Sequence, residues 1–521
     1  MPVRRPTTVL VAVTTAAGLL AACTAGDPGP APTPSSTLSA SAAAVEPLVV
    51  TTVLDGEEVE LQVGPVAVHG DVAVLRIAAP TQTPFLRMAL WDVFENLSSP
   101  GPSGVRLVDT AQGVVRPVAR DEQDRAVMSS NRTPGGPATD AADEAADGDE
   151  VVYAAFAAPD TERVDVMLPE GGWVADVPVV SAAAAGDLTV PPDELLDGGV
   201  AAAPVFPLEA YTEVVGGQVR ARETAEAVTV QVASDVLFAV DSDQLGPEAE
   251  SALAAAAAEV AAYPGGSLTV VGHTDDVADD AYNLDLSQRR AATVATRLAQ
   301  VADLSGFDVA VDAKGESQPA VAGTSPDARA LNRRVEIVLV PEGEAQAVEE
   351  ADGALPPTDG PAAPGAQGVS YQADDDTLAV RLPEVRRHGG YLVGQLELTH
   401  SAGESETIDG VLSSGAWDAR GEFDASLQFA ATNVTLLDGD RRTYPLDYVR
   451  RTVGDRTIRE PLADRLVNVV PVGGTRTVTV VWPDTGQETV TVDVPVRFTR
   501  SGAIPYGGPP FRLTDVPVVD G

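Results

Sequence analysis

The chain has 521 residues and a formal net charge of −43, from 77 Asp and Glu against 34 Lys and Arg. At roughly 150 residues per domain the length predicts three or four domains, and the acidic excess repels phosphate backbones, which excludes nucleic acid as a partner. The single cysteine, Cys23, excludes internal disulfides and paired-cysteine metal or redox sites, and the single lysine, Lys314, sits in no Gly-rich loop, which excludes a P-loop.

Arg4 and Arg5 precede an apolar run from Val9 to Leu20 that ends in Ala21, Ala22 and Cys23. A charged start, an apolar stretch and small residues before a cut site describe a secretory signal over 1–22. The run is shorter than the ~20 residues that span a bilayer. Leu20-Ala21-Ala22-Cys23 resembles the lipobox of bacterial lipoproteins. The resemblance implies cleavage before Cys23 and lipidation of that residue, and two acyl chains there give a stable anchor. Residues 23–46 are Pro, Ala, Ser and Thr with few aliphatics, the composition of a disordered linker.

Residues 47–180 alternate Val, Leu and Thr between Gly, Pro and Asp, which predicts an all-β domain. Its acidic insert at 134–150 is expected as a solvated loop. Residues 181–205 read as a second linker and 343–368 as a third, disordered one. Residues 369–521 return to the strand pattern. Val105–Asp109 matches Val434–Asp438, Phe156–Thr161 matches Val481–Thr485, and Asp176–Val180 matches Asp515–Val519. Three matches in the same order predict two copies of one sandwich-like β domain.

Residues 206–342 differ in character. Strands are expected at 227–238, 267–271, 307–313 and 334–340, with helices at 247–262 and 287–299 and a helical turn at 326–330. The order predicts an α+β unit of βαβαβ type. The expected fold is therefore multidomain: a central α+β domain flanked by two related all-β domains.

The central unit carries Gly272-His273-Thr274-Asp275, Tyr282-Asn283, Leu286-Ser287, Arg290-Ala291 and Asn332-Arg333-Arg334-Val335-Glu336-Ile337. These segments, with Leu237-Phe238 at the entry and Gly315–Pro319 before the last strand, resemble the OmpA-like peptidoglycan-binding domain. The whole chain is similar in outline to peptidoglycan-associated lipoproteins, except that those usually end with this module. The resemblance implies that Asp275 and Arg290 bind the ammonium and carboxylate of a diamino acid in a peptidoglycan stem peptide. An arginine can grip a carboxylate with two parallel hydrogen bonds. It further implies that Asn283 meets peptide amides, with Thr274, Arg333 and Arg334 beside the ligand. A helix start near Leu286 would add partial positive charge close to Arg290. Two positions depart from the family pattern. Ala239 stands where an acid often follows the Phe, and Ala278 where a glycine is common, inside an acidic loop at 275–280.

Asp241–Ala252 begins like a calcium loop but lacks the oxygen ligand at position five and the glutamate at position twelve. The four histidines are scattered, so no metal or cofactor is expected. No nucleophile elbow appears, and an enzyme is not expected. The sequence thus predicts a lipid-anchored, extracytoplasmic envelope protein that holds peptidoglycan non-covalently and tethers membrane to wall. The lipid would lie on the outer face of the cytoplasmic membrane, or in the outer membrane of a two-membrane bacterium. The alternative is an adaptor whose β domains bind an envelope protein or glycan, with wall binding serving only to localise them.

Overall fold

Short β-branched runs cut by Gly-Asp and Gly-Gly pairs make strands joined by tight turns, and most of this chain is built that way. The computed structural model describes residues 45–54, 57–80, 86–91, 101–129, 150–195, 199–343, 355–373, 375–403, 411–413, 429–453, 456–465, 470–495 and 508–521. The expected signal and lipid attachment at 1–23, and most of the linker to 46, lie outside the described residues. So does the acidic insert, except Glu150, which opens a strand.

The first block contains β1 (Leu48–Leu54), β2 (Glu57–His69), β3 (Val72–Ala79), α1 (Leu86–Ala89), β4 (Arg106–Asp109), β5 (Val114–Pro117), β6 (Glu150–Ala157), β7 (Arg163–Leu168) and β8 (Gly172–Ser181). The strands run in the order β6-β3-β2-β8-β7-β4-β5, with β1 on β2. β8 belongs to two leaves: its end lies parallel to β2, with Val179 opposite Val66, and its start lies antiparallel to β7. Leu61, Leu75, Ile77 and Phe156 from one leaf meet Leu107, Val166 and Leu168 from the other in one buried core.

After α2 (Ala182–Ala185) and β9 (Phe206–Pro207), the central block follows. It comprises β10 (Ala210–Val214), β11 (Val219–Glu223), β12 (Val228–Ala233), α3 (Ser234–Leu237), α4 (Ala249–Ala261), β13 (Gly266–His273), α5 (Asp280–Val301), β14 (Phe307–Gly315), α6 (Pro326–Asn332) and β15 (Arg334–Pro341). The sheet order is β14-β13-β15-β12-β11-β10, with β13 and β14 parallel and β15 antiparallel to both its neighbours. α4 and α5 cover one face, burying Leu253, Ala256, Val260, Val294 and Leu298 against Leu268, Val270 and Ile337. The alanines of α4 let it lie close to the sheet. The strand expected to run to Phe238 stops at Ala233, where its pairing with Arg334 ends. Ser234–Leu237 then turn helically, with the Phe238 amide donating to the Ser234 carbonyl at 2.8 Å.

The third block contains β16 (Ala362–Pro364), β17 (Val369–Ala373), β18 (Asp376–Arg381), β19 (Val385–His388), β20 (Tyr391–Ala402), β21 (Thr435–Asp438), β22 (Arg441–Thr443), β23 (Asp447–Val453), β24 (Arg456–Pro461), β25 (Thr475–Pro483), β26 (Thr489–Val494) and β27 (Phe511–Asp520). Its pairing repeats that of the first block. β19 lies parallel to β27 as β2 does to β8, β20 pairs with β25 as β3 does with β6, and β21 with β26 as β4 does with β7. The segments matched in sequence fall on these equivalent strands. Asp176 and Asp515 both have positive φ, 58° and 54°, each opposite a register shift in the partner strand. Asp tolerates that conformation better than most residues.

The blocks are knitted together. β9 adds to the edge of β5, with Phe206 opposite Val115 and Pro207 opposite Val114. Three residues later β10 adds to β22, with Thr212 opposite Thr443. The central sheet therefore continues into the third block. Between first and third blocks, Val108, Val115 and Met167 pack with Val393, Tyr448, Leu462 and Val481. The stretches expected as linkers hold ordered contacts. Ala201 and Ala202 bond to the backbone of Arg120, and β16 lies along β27, where its one proline, Pro364, is tolerated at a sheet edge.

Candidate ligand-binding site

The site is built where three neighbouring strands end: β12, β15 and β13. Gly272, near the end of β13, lies flush against α5, and a Cβ there would stand 2.1 Å from the Ser287 carbonyl oxygen. The glycine of the Gly-His-Thr-Asp motif thus sets how closely helix and strand approach. Beyond it, the Thr274 amide donates to the Gly315 carbonyl at 2.9 Å. The Thr274 side chain is buried, and its hydroxyl has no partner among the described residues.

Asp275 opens the loop to α5. Its Oδ1 accepts from the Val277 amide at 3.3 Å, and its Oδ2 accepts from Arg333 Nη1 at 2.8 Å. The other side of the Arg333 guanidinium forks onto Asp235, Nε to Oδ1 at 2.9 Å and Nη2 to Oδ2 at 2.6 Å. These bonds, the Asp235 fork foremost, raise the Arg333 pKa. Asp276 is gripped in the same manner by Arg329, at 2.6 and 3.2 Å, which holds its carboxyl below the usual range. Asp279 caps α5, accepting from the Tyr282 amide at 3.0 Å. Three of the acidic loop's four carboxylates are therefore committed to arginine or to the helix end.

That cap places the start of α5 at Asp280 rather than near Leu286, so Arg290 sits in the third turn, away from the N-terminus of its own helix. Asn283 is in the first turn, buried. Its Nδ2 donates to the carbonyls of Asp275 and Ala278 and to Glu316 Oε2 at 2.5 Å. Ala278 has a negative φ, so its geometry places no demand for glycine.

Arg290 is 5% exposed. Its Nε donates to the Ser242 carbonyl at 2.9 Å, its Nη2 points at the Ala239 carbonyl at 3.4 Å, and the guanidinium lies 5.1 Å from the Phe238 ring centroid. Among the described residues it has no carboxylate within ion-pair distance, in a chain with 77 acids. Burial lowers its pKa, and the charges acting on it include Asp235, Asp241 and Arg333. Asp235 and Arg333 thus lie within electrostatic reach of Arg290, while Asp275 is bonded to Arg333 and not to Arg290.

Arg334 turns the other way. It is buried and bonds Glu336 at 2.7 Å and the carbonyls of Asn332 and Gln318. Burial would raise the Glu336 carboxyl, but His273 at 3.5 Å and Arg334 hold it at about 2. Arg334 and His273 therefore brace the sheet face. Asp235 and Arg329 carry no mark in the sequence, and Glu316 stands there only within the Gly315–Pro319 segment. Each acts through a side chain more than thirty positions away, and no local pattern marks that.

A family model described as the OmpA family matches residues 237–333. Outer membrane porin F of Pseudomonas aeruginosa is 38% identical over 120 residues, 23% of this chain and 34% of its own length. The peptidoglycan-associated lipoprotein of Legionella pneumophila is 34% identical over 119 residues, 22% of this chain and 67% of its own. Among solved structures, the cell wall anchor of the T6SS from Pseudomonas aeruginosa aligns at 30% identity over 24% of this chain and 90% of its own, with a TM-score of 0.22. The chain thus spans about a third of the porin's length, and both flanking blocks lie outside the stretch that the family model matches.

Proposed function

The chain belongs to the OmpA family through its central block, and from that premise we propose that it binds peptidoglycan non-covalently and tethers the cell envelope to the wall. The ligand is the diamino acid of a stem peptide, which carries an ammonium and a carboxylate on one carbon. Asp275 accepts from the ammonium, and Arg290 donates to the carboxylate with the N–H groups that its carbonyl contacts leave over. Asn283 and Thr274 line the same loop ends. Cys23, outside the described residues, is the lipid attachment point. The two β blocks hold the binding unit in place.

The observation that carries this reading is Arg290. A buried guanidinium without a carboxylate partner carries a desolvation penalty, and an anionic ligand group offsets it. The name of the Legionella relative, a peptidoglycan-associated lipoprotein, agrees with it.

The test uses the full chain without residues 1–22, because β10 is paired with β22 of the third block. Wild type, Asp275→Ala and Arg290→Ala are sedimented with insoluble peptidoglycan sacculi after circular dichroism has shown all three folded. Wild type is expected in the pellet and both variants in the supernatant. Wild type remaining in solution would overturn wall binding.

A further inference from the structure

The proposed site uses Asp275, but Asp275 does not stand alone. Arg333 is the residue immediately before β15, and β15 lies between β12 and β13 in the sheet. It therefore sits between the chain leaving β12, which carries Asp235 on α3, and the chain leaving β13, which carries Asp275. Its backbone joins them too, since the Ser234 amide donates to the Arg333 carbonyl at 2.9 Å. The guanidinium is divided between the two: a two-bond fork to Asp235 and a single bond from Nη1 to Asp275 Oδ2.

That division has a chemical consequence. A guanidinium free to rotate pairs with a carboxylate through two parallel bonds. The Asp235 fork fixes the plane of the guanidinium, and in that orientation only Nη1 reaches Asp275. The Asp275 carboxylate is then oriented but not covered, and its remaining lone pairs can accept an ammonium.

We propose that Asp235 is a positioning residue for ligand binding: by clamping Arg333 from behind, it keeps that arginine from closing over Asp275 and so preserves Asp275 as an ammonium acceptor. This rests on the peptidoglycan reading above. The clamp adds little to stability, because Asp235 is 57% exposed and Arg333 28%, and ion pairs in that setting contribute little to folding. Its effect falls on recognition, and only on the cationic half of the ligand.

The experiment separates those halves with the full chain lacking residues 1–22. Two probes are compared: untreated insoluble peptidoglycan sacculi, and sacculi whose free amines have been capped with acetic anhydride, which leaves the carboxylates intact. Wild type is expected to bind untreated sacculi about tenfold more tightly, the scale of one charge-assisted contact. Asp235→Asn is expected to lose that preference while binding acetylated sacculi as wild type does, and Asp235→Glu is expected to restore it. Arg333→Lys, a point charge that cannot fork, should behave like Asp235→Asn. If Asp235→Asn keeps the wild-type preference, or weakens binding to both probes equally, the positioning role is overturned while wall binding stands. If wild type binds both probes alike, ammonium recognition is overturned, and the clamp with it. If wild type binds neither, the wall-binding reading itself falls.

Discussion

Arg290 and Phe238 are stacked, with the guanidinium carbon 5.1 Å from the ring centroid. The ring face and two backbone carbonyls hold the cation without cancelling its charge. Arg290→Lys keeps a positive charge but loses the planar fork and the fit over the ring. Binding to sacculi is expected to fall about tenfold or more, with the far-ultraviolet circular dichroism unchanged. Binding within twofold of wild type would remove the fork from the mechanism.

Gly272 is the second test. A methyl group there collides with the backbone of Ser287, which is not a flexible side-chain end that can move aside. Gly272→Ala must push α5 off β13. Overpacking of this kind costs about 1–3 kcal/mol, read as a lowered denaturant midpoint. Because α5 carries both Asn283 and Arg290, sacculus binding should fall as well.

Glu460 bears on how the blocks melt. It is buried among Arg106 of the first block and Arg450 and Arg465 of the third, with Tyr448 donating to it at 2.6 Å. Burial would raise its carboxyl, but the three arginines hold it well below the ordinary range. Glu460→Gln leaves those cations without their shared anion, a loss of about 3–5 kcal/mol. Calorimetry should show one unfolding transition for wild type and an earlier, separate loss of the first-to-third-block contact in the variant.

Asp464 predicts a pH dependence. It accepts from the Thr479 amide at 2.7 Å and from the amide of Glu170, a first-block residue whose carboxylate pairs with Arg476. Burial, then the Glu170 charge, raises the Asp464 carboxyl to about 7 from 3.8. A carboxyl raised on folding takes its proton more readily in the native state. Its stabilisation is therefore greatest below pH 4 and is lost as pH rises through 7, by at most about 1.4 kcal/mol per pH unit. Asp165, raised to about 6, acts in the same direction, while His388, lowered by burial, opposes both below pH 6.5. Subtracting the denaturation curve of Asp464→Asn from that of wild type isolates the Asp464 contribution. Wild-type stability minus that of Asp464→Asn should rise as pH falls from 8 to 5, and a difference independent of pH would refute the assignment.

The parts legible in the sequence are those whose cause is local. The Gly-His-Thr-Asp loop, the Asn283 and Arg290 positions on one helix face, and the Asn332–Ile337 strand entry each lie within a short stretch. Three β-block segments were recognisable because they recur on β4 and β21, β6 and β25, and β8 and β27. Asp279 and Asp280 read as part of an acidic loop, which puts the expected start of α5 near Leu286, whereas one is the cap and the other the first helical residue. The pairing of Thr212 with Thr443 and the fork from Arg333 to Asp235 have no local signature. They arise only once the strands are laid side by side. Arg334 resembled its neighbour in sequence, yet strand alternation turned it towards Glu336, away from Asp275.

The stretch from Phe206 to Val214 gives the molecule a mechanical property. It is an edge strand of the first block through β9 and of the third through β10. A pull on the wall-binding unit therefore meets no slack at its entry. The strain is divided between two antiparallel ladders in different blocks, and separating the unit from one of them leaves it fastened to the other.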